Sequence, residues 1–152
     1  MIVYFDSSSI VKWFFDEKGC DASRSIRDQA DAAVTSIIAF PEVLSAFNRA
    51  KKDKRCSASD FEIIRKQFSA IWPQLTWMWI DAHLVEIAGK LIFEHDLRGF
   101  DAVHLASALV MAEHAKPLKP FFSCFDDRLN GAAKALGFET HHHLFDITPI
   151  PQ

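Results

Sequence analysis

Short apolar runs alternate with amphipathic stretches along this chain. Residues 2–5, Ile-Val-Tyr-Phe, form an apolar run closed by Asp6, the pattern of a buried strand. Ser7, Ser8 and Ser9 suit a helix start, and residues 10–15 continue that helix until the polar stretch 16–19. Residues 22–33 read as a polar, amphipathic helix. Val34, Thr35, Ile37 and Ile38 make 33–38 a second strand, rich in β-branched side chains. Pro41 suits the first turn of a helix from Glu42 to about Lys52. Residues 57–60 open another, through Phe61 to Ile71, before Pro73 interrupts. A third strand follows at 76–80 and a helix at 82–95. A further helix runs from Phe100 to about His114. Beyond Pro117 and Pro120, residues 121–125 read as a fourth strand, 128–136 as a helix stopped by Gly137, and 143–147 as a last short strand.

This alternation predicts an α/β fold with a mainly parallel central sheet of four to five strands flanked by helices. The chain has 152 residues, enough for one domain over 1–152 with a sizeable core. In such sheets the functional groups gather beyond the carboxyl ends of the strands.

Composition narrows the options. About half the chain is apolar, with 14 Phe and 4 Trp, which excludes disorder as the main state. A net charge of −3 argues against a surface coated in nucleic acid but permits a local basic patch. Cys20, Cys56 and Cys124 are odd in number and far apart, so a disulfide framework or thiolate zinc site is not expected, and a reducing cytoplasm fits better. The run before Asp6 is too short for a signal peptide, and no apolar run is long enough to span a bilayer.

Residues 97–108, Leu-Arg-Gly-Phe-Asp-Ala-Val-His-Leu-Ala-Ser-Ala, place one acid, Asp101, at the head of an apolar helical face. A carboxylate there costs free energy unless a partner meets it. Three other acids occupy equivalent places. Asp6 ends the first strand, Glu42 opens the helix after the second, and Asp126 follows the fourth. Acids gathered in one cleft repel and call for cations, and oxygen donors without His or Cys favour Mg²⁺ or Mn²⁺ over Zn²⁺.

With these residues placed, the chain resembles the PIN-domain family, and most of all its VapC-type toxin ribonucleases. Val3-Tyr-Phe-Asp6-Ser-Ser-Ser resembles the family's first motif, and Phe40-Pro-Glu42-Val-Leu its helix-borne glutamate. Leu97-Arg-Gly-Phe-Asp101-Ala-Val-His-Leu-Ala is the most specific match, and Phe122-Ser-Cys-Phe-Asp126-Asp-Arg-Leu resembles the last motif. The resemblance implies a metal-dependent endoribonuclease, with Asp6, Glu42, Asp101 and Asp126 around one or two Mg²⁺ or Mn²⁺ ions. It also implies a homodimer, an RNA substrate and a small VapB-like antitoxin that blocks the site. Cys124 stands where the family often has Thr or Ser, so a polar contact to the acids is expected to be missing. Asp127 competes with Asp126, and the motif register favours Asp126.

Other signals are secondary. Ser8 either caps the first helix or offers its hydroxyl to metal or phosphate. Lys12 and Arg128, close in sequence to the acids, are candidates to neutralise them or hold substrate. His104 reads as a packed histidine, with orientation of Asp101 or action as a base as its alternative roles. Arg49, Lys51, Lys52, Lys54 and Arg55 read as a solvated helix end, with attraction of RNA phosphates as the alternative. His141, His142 and His143 cannot all point one way on a strand, so they read as a surface tract. Phe14, Phe15, Phe40 and Phe47 read mainly as core, and Asp16, Glu17, Asp81 and Asp96 as surface acids. The competing function is a non-catalytic PIN scaffold that binds RNA or protein. Aspartyl-phosphate chemistry ranks low, because Asp6 is followed by serines rather than by the Asp-x-Asp of such phosphatases.

Overall fold

The computed structural model describes residues 1–141. Five parallel strands form one sheet in the order β3-β2-β1-β4-β5. They are β1 (Ile2–Phe5), β2 (Ala32–Ser36), β3 (Thr76–Met78), β4 (Phe121–Ser123) and β5 (Glu139–Thr140). The expected strand at 143–147 lies outside the described residues. Its place at the sheet edge is taken by β5, paired with β4 through Phe121 opposite Glu139.

Seven α-helices flank the sheet among the described residues: α1 (Ser7–Val11), α2 (Cys20–Asp28), α3 (Ala39–Lys52), α4 (Ala58–Ile71), α5 (Ala82–His95), α6 (Gly99–Ala115) and α7 (Asp127–Ala135). None is long and apolar enough to cross a membrane. β1 lies at the centre, and its alternation sorts the two cores. Val3 and Phe5 face one layer, where Phe47 and Phe68 are fully buried with Trp13 and Trp72. Tyr4 faces the other, among Leu84, Leu105, Phe122 and Leu129.

Several boundaries differ from the sequence reading. α1 ends at Val11, because Trp13, Phe14 and Phe15 all turn inward, which one helical face cannot provide. Trp13 reaches back to donate to Ser23 at 3.0 Å. α2 starts after Gly19, whose φ of 89° needs the left-handed region. β2 runs from Ala32 to Ser36, starting one residue and ending two residues earlier than expected, since Ile37 and Ile38 already turn toward α3. Pro41 sits in the first turn of α3, where its missing N–H costs nothing. α4 opens with a capping box between Ser57 and Asp60, as that serine-rich stretch suggested.

Phe14, Phe40, Phe47, Phe68 and Trp72 form a chain of ring contacts with centroids 5.1–5.9 Å apart. Phe68 is the ring common to most of them. Phe68→Ala is expected to cost roughly 3–5 kcal/mol, read from urea unfolding. A loss below about 1 kcal/mol would show that this layer does not depend on it.

Candidate active site

β1 has β2 on one side and β4 on the other, so the chain leaves its neighbourhood in both directions and a crevice opens at its carboxyl end. Asp6 stands there, 5% exposed, as the N-cap of α1. Its Oδ1 accepts the Ser9 N–H at 2.9 Å and the Ser8 hydroxyl at 2.8 Å. Its Oδ2 accepts from the Cys124 thiol at 3.3 Å. Burial, reinforced by the neighbouring Asp6 carboxylate, drives the Cys124 pKa far above the usual thiol range, so the group stays a donor. The polar contact expected to be missing at position 124 is therefore made, by sulfur in place of a hydroxyl. Capping belongs to Asp6 itself. Ser8 instead ties Asp6 to the Phe125 N–H, which it accepts at 3.0 Å.

Beneath Asp6 runs a buried line of hydroxyls. Ser9 contacts Ser23 at 2.8 Å and Ser123 at 2.5 Å, and Ser123 contacts His141 Nε2 at 2.7 Å. His141 is fully buried, contrary to the surface tract expected of it, because β5 ends beside β4 and carries it inward. Burial lowers its pKa to about 4, so the ring is neutral at neutral pH. His142 and His143 lie outside the described residues.

The other acids arrive from helix starts. Asp101 is in the first turn of α6, half-buried. Asp126 is the exposed N-cap of α7, with Oδ1 accepting the Leu129 N–H at 2.9 Å. Desolvation raises the Asp101 pKa, and the charges of Asp126 and then Asp6 raise it further. Desolvation likewise raises Asp6, against the opposing influence of His104 and of its own hydrogen bonds. Asp101 thus lies within electrostatic reach of both Asp126 and Asp6. The charge of Asp126 bears on Asp101, while Asp127 lies in the first turn of α7.

Glu42 joins through a different contact. It lies in the first turn of α3, and its Oε2 is 2.7 Å from His104 Nε2. His104 Nδ1 is 2.9 Å from the Tyr4 hydroxyl. A carboxylate can only accept, so the ring donates from Nε2 and, when neutral, accepts from Tyr4 at Nδ1. Tyr4 can supply that proton, since burial holds its pKa well above the ordinary tyrosine value. His104 is packed, 1% exposed, as expected, but the carboxylate it orients is Glu42 rather than Asp101.

Lys12 and Arg128 do not pair with the acids. Lys12 lies at the far end of α1, where its Nζ donates to Glu17 Oε1 at 2.7 Å and to the Lys18 carbonyl at 2.8 Å. Arg128 turns away to Asp96, donating to its carbonyl at 3.0 Å. Of the expected surface acids, Asp16 pairs with Arg24 and Asp81 caps α5.

Among the described residues, no group of three His, Cys, Asp or Glu side chains is arranged to enclose a metal ion. The donor chemistry nevertheless fits a hard divalent cation. The three aspartates offer only carboxylate oxygen, and Asp6 and Asp101 are held where their negative charge is disfavoured. Beside them a cavity of about 540 Å³ runs between α1, α3 and the start of α6, lined by Ser8, Ile38, Glu42, Ser45, Arg49 and Phe100 among others. The sequence reading did not single out Phe100 or Tyr4. The strand alternation that puts Tyr4 on the α6 side was legible. The opening above Phe100 was not.

A PIN-domain family model matches residues 3–134. This chain belongs to the PIN-domain family. Ribonuclease VapC49 of Mycobacterium tuberculosis is 33% identical over 136 residues, covering 90% of this PIN chain and 92% of that protein. Among solved structures, the fold resembles VapC20 of Mycobacterium tuberculosis, described as a Sarcin-Ricin loop cleaving toxin. That match has a TM-score of 0.62 and 18% identity, covering 90% of this chain and 95% of that one. A toxin–antitoxin complex from Klebsiella pneumoniae is similar at a TM-score of 0.56 and 18% identity, covering 82% and 86% of the two chains.

Two tests follow from this geometry. An aspartate whose folded pKa is raised binds more protons folded than unfolded. Its contribution favours the fold at acid pH and is lost as pH rises from the ordinary aspartate range through the raised value. Metal-free protein in EDTA is expected to lose stability across that window, and Asp101→Asn to lose less and be the more stable form at pH 7. Identical pH dependences in urea unfolding would contradict the shared field. Separately, Tyr4→Phe and His104→Leu are expected to be non-additive in stability by about 1 kcal/mol, because each removes the same hydrogen bond. Simple additivity would mean the bond contributes nothing.

Proposed function

We propose that this PIN-domain protein is a metal-dependent endoribonuclease, the toxin of a toxin–antitoxin pair, hydrolysing RNA phosphodiester bonds at Asp6, Glu42, Asp101 and Asp126. What supports the proposal is that Asp101, in the first turn of α6, feels the charges of Asp126, the N-cap of α7, and of Asp6, the N-cap of α1 at the carboxyl end of the central strand. Asp6 and Asp101 carry their negative charge at a cost to the fold, which a purely structural role does not require. The relative named Ribonuclease VapC49 supports the same activity.

Asp6, Asp101 and Asp126 would hold Mg²⁺ or Mn²⁺, with Glu42 completing the set. When bound, such an ion supplies Lewis acidity toward the phosphate and a more acidic attacking water. The chain's own groups prepare the site. The Ser9 N–H, Ser8 hydroxyl and Cys124 thiol fix the orientation of Asp6 and offset its burial. Asp101 sits in the first turn of α6, and Asp126 caps α7 by accepting the Leu129 N–H at 2.9 Å. His104, backed by Tyr4, fixes the Glu42 carboxylate.

The proposal includes a VapB-like antitoxin that covers the site, a homodimeric toxin and action in the cytoplasm. The similarity to a toxin–antitoxin complex supports the first, and three free cysteines agree with the last.

Antitoxin-free protein is expected to cleave total cellular RNA with Mn²⁺ or Mg²⁺ and to stop in EDTA. Asp101→Asn is expected to lose about a hundredfold or more, since even residues that only orient metal ligands are worth 10–100-fold. Cleavage that survives EDTA, or full activity of the variant, would overturn the assignment.

A further inference from the structure

Resting on the ribonuclease reading, we propose that the cavity beside the acids is the subsite for an unpaired nucleotide flanking the scissile phosphate, with Phe100 stacking on its base and Arg49 holding the adjacent phosphate. Three observations converge. Phe100 immediately precedes Asp101, yet is 61% exposed and lines the cavity. A large aromatic ring in that position has no packing reason to be there. Glu42, Ser45, Ala46 and Arg49 all line the cavity from α3. At positions i, i+3, i+4 and i+7 they form one helical face, with the acid at one end and the cation at the other.

The Arg49 guanidinium makes no ion pair or hydrogen bond among the described residues. Two of its basic neighbours are otherwise engaged, and neither Lys52 nor Lys54 lines the cavity. Arg55 lies 3.5 Å from Glu17 and over Phe15, and Lys51 lies over Phe61. Arg49 is therefore the member of the basic run that faces the cavity without a carboxylate to neutralise it.

Glu42 and Arg49 are about 10 Å apart along the helix axis at 1.5 Å per residue. A strand with its scissile phosphate at the acids brings a neighbouring phosphate toward Arg49 and the intervening base over Phe100. Stacking on a side chain requires the base to leave its own helix, so the subsite selects single-stranded or looped RNA.

The test separates this inference from the catalytic one by measuring binding alone. Fluorescence anisotropy with a labelled single-stranded RNA and with a duplex of the same sequence is recorded in EDTA, with full-length, antitoxin-free protein. Phe100→Ala is expected to weaken single-strand binding about tenfold, while Phe100→Tyr retains it. Arg49→Gln is expected to weaken binding and reduce the salt slope by about one phosphate contact. The duplex is expected to bind more weakly than the single strand and to respond little to Phe100→Ala. Single-strand binding unchanged in Phe100→Ala would overturn the proposal. So would equal loss in the Tyr variant. If Phe100→Ala spares RNA binding but abolishes capture of a cognate antitoxin, the cavity is a protein dock and the proposal fails. Failure of RNA cleavage with these binding effects intact would count against the nuclease reading alone.

Discussion

Burying the carboxylate of Asp6 at the end of the central strand is the constraint on which the rest of this molecule depends. A carboxylate removed from water is costly unless hydrogen bonds replace its hydration. Here the N–H of Ser9, the hydroxyl of Ser8 and the thiol of Cys124 do so, and the buried serines behind them link α1, α2 and β4. The same bonds that offset the burial also start α1. The local fold and the local charge therefore cannot be separated. Even so, the compensation is incomplete, because burial still holds the Asp6 pKa above the ordinary value.

The second layer of the sheet answers the same problem differently. Strand alternation sends Tyr4 to the face opposite Val3 and Phe5, where it meets His104 of α6. His104 in turn reaches Glu42 at the start of α3, 62 residues away in sequence. Helices from both sides of the sheet are thereby tied at the strand ends. Every acid of the proposed site lies at a helix start, where orphan N–H groups favour negative charge. The fold makes the gathering of acids tolerable without making it neutral.

Much of this was legible in the chain. The strand–helix alternation announced a parallel sheet, and four acids were placed at strand exits or helix entries, where the structure has them. What escaped depended on tertiary contacts. Lys12 and Arg128 looked close to the acids because they are near in sequence, but each finds a nearer partner, Glu17 and Asp96 respectively. Cys124 looked like a lost polar contact because a thiol is a poor donor in isolation. Beside a buried carboxylate it serves as one. His141 looked exposed because a run of histidines has no periodicity to assign it inward, and only the pairing of β5 with β4 does so. α1 stopped short because three consecutive aromatics satisfied the core better in a turn than on a helix.

The central claim is that the protein holds Asp6, Asp101 and Asp126 together against their repulsion in readiness for a divalent cation. Calorimetric titration of metal-free protein with Mn²⁺, in buffers of different ionisation enthalpy, tests it most directly. The account predicts saturable binding with net release of protons below neutral pH, since carboxylates with raised pKa values must give up their protons to bind. It also predicts that Asp101→Asn weakens the binding and reduces the release. Absence of Mn²⁺ binding to folded protein, or binding that Asp101→Asn leaves unchanged, would contradict it.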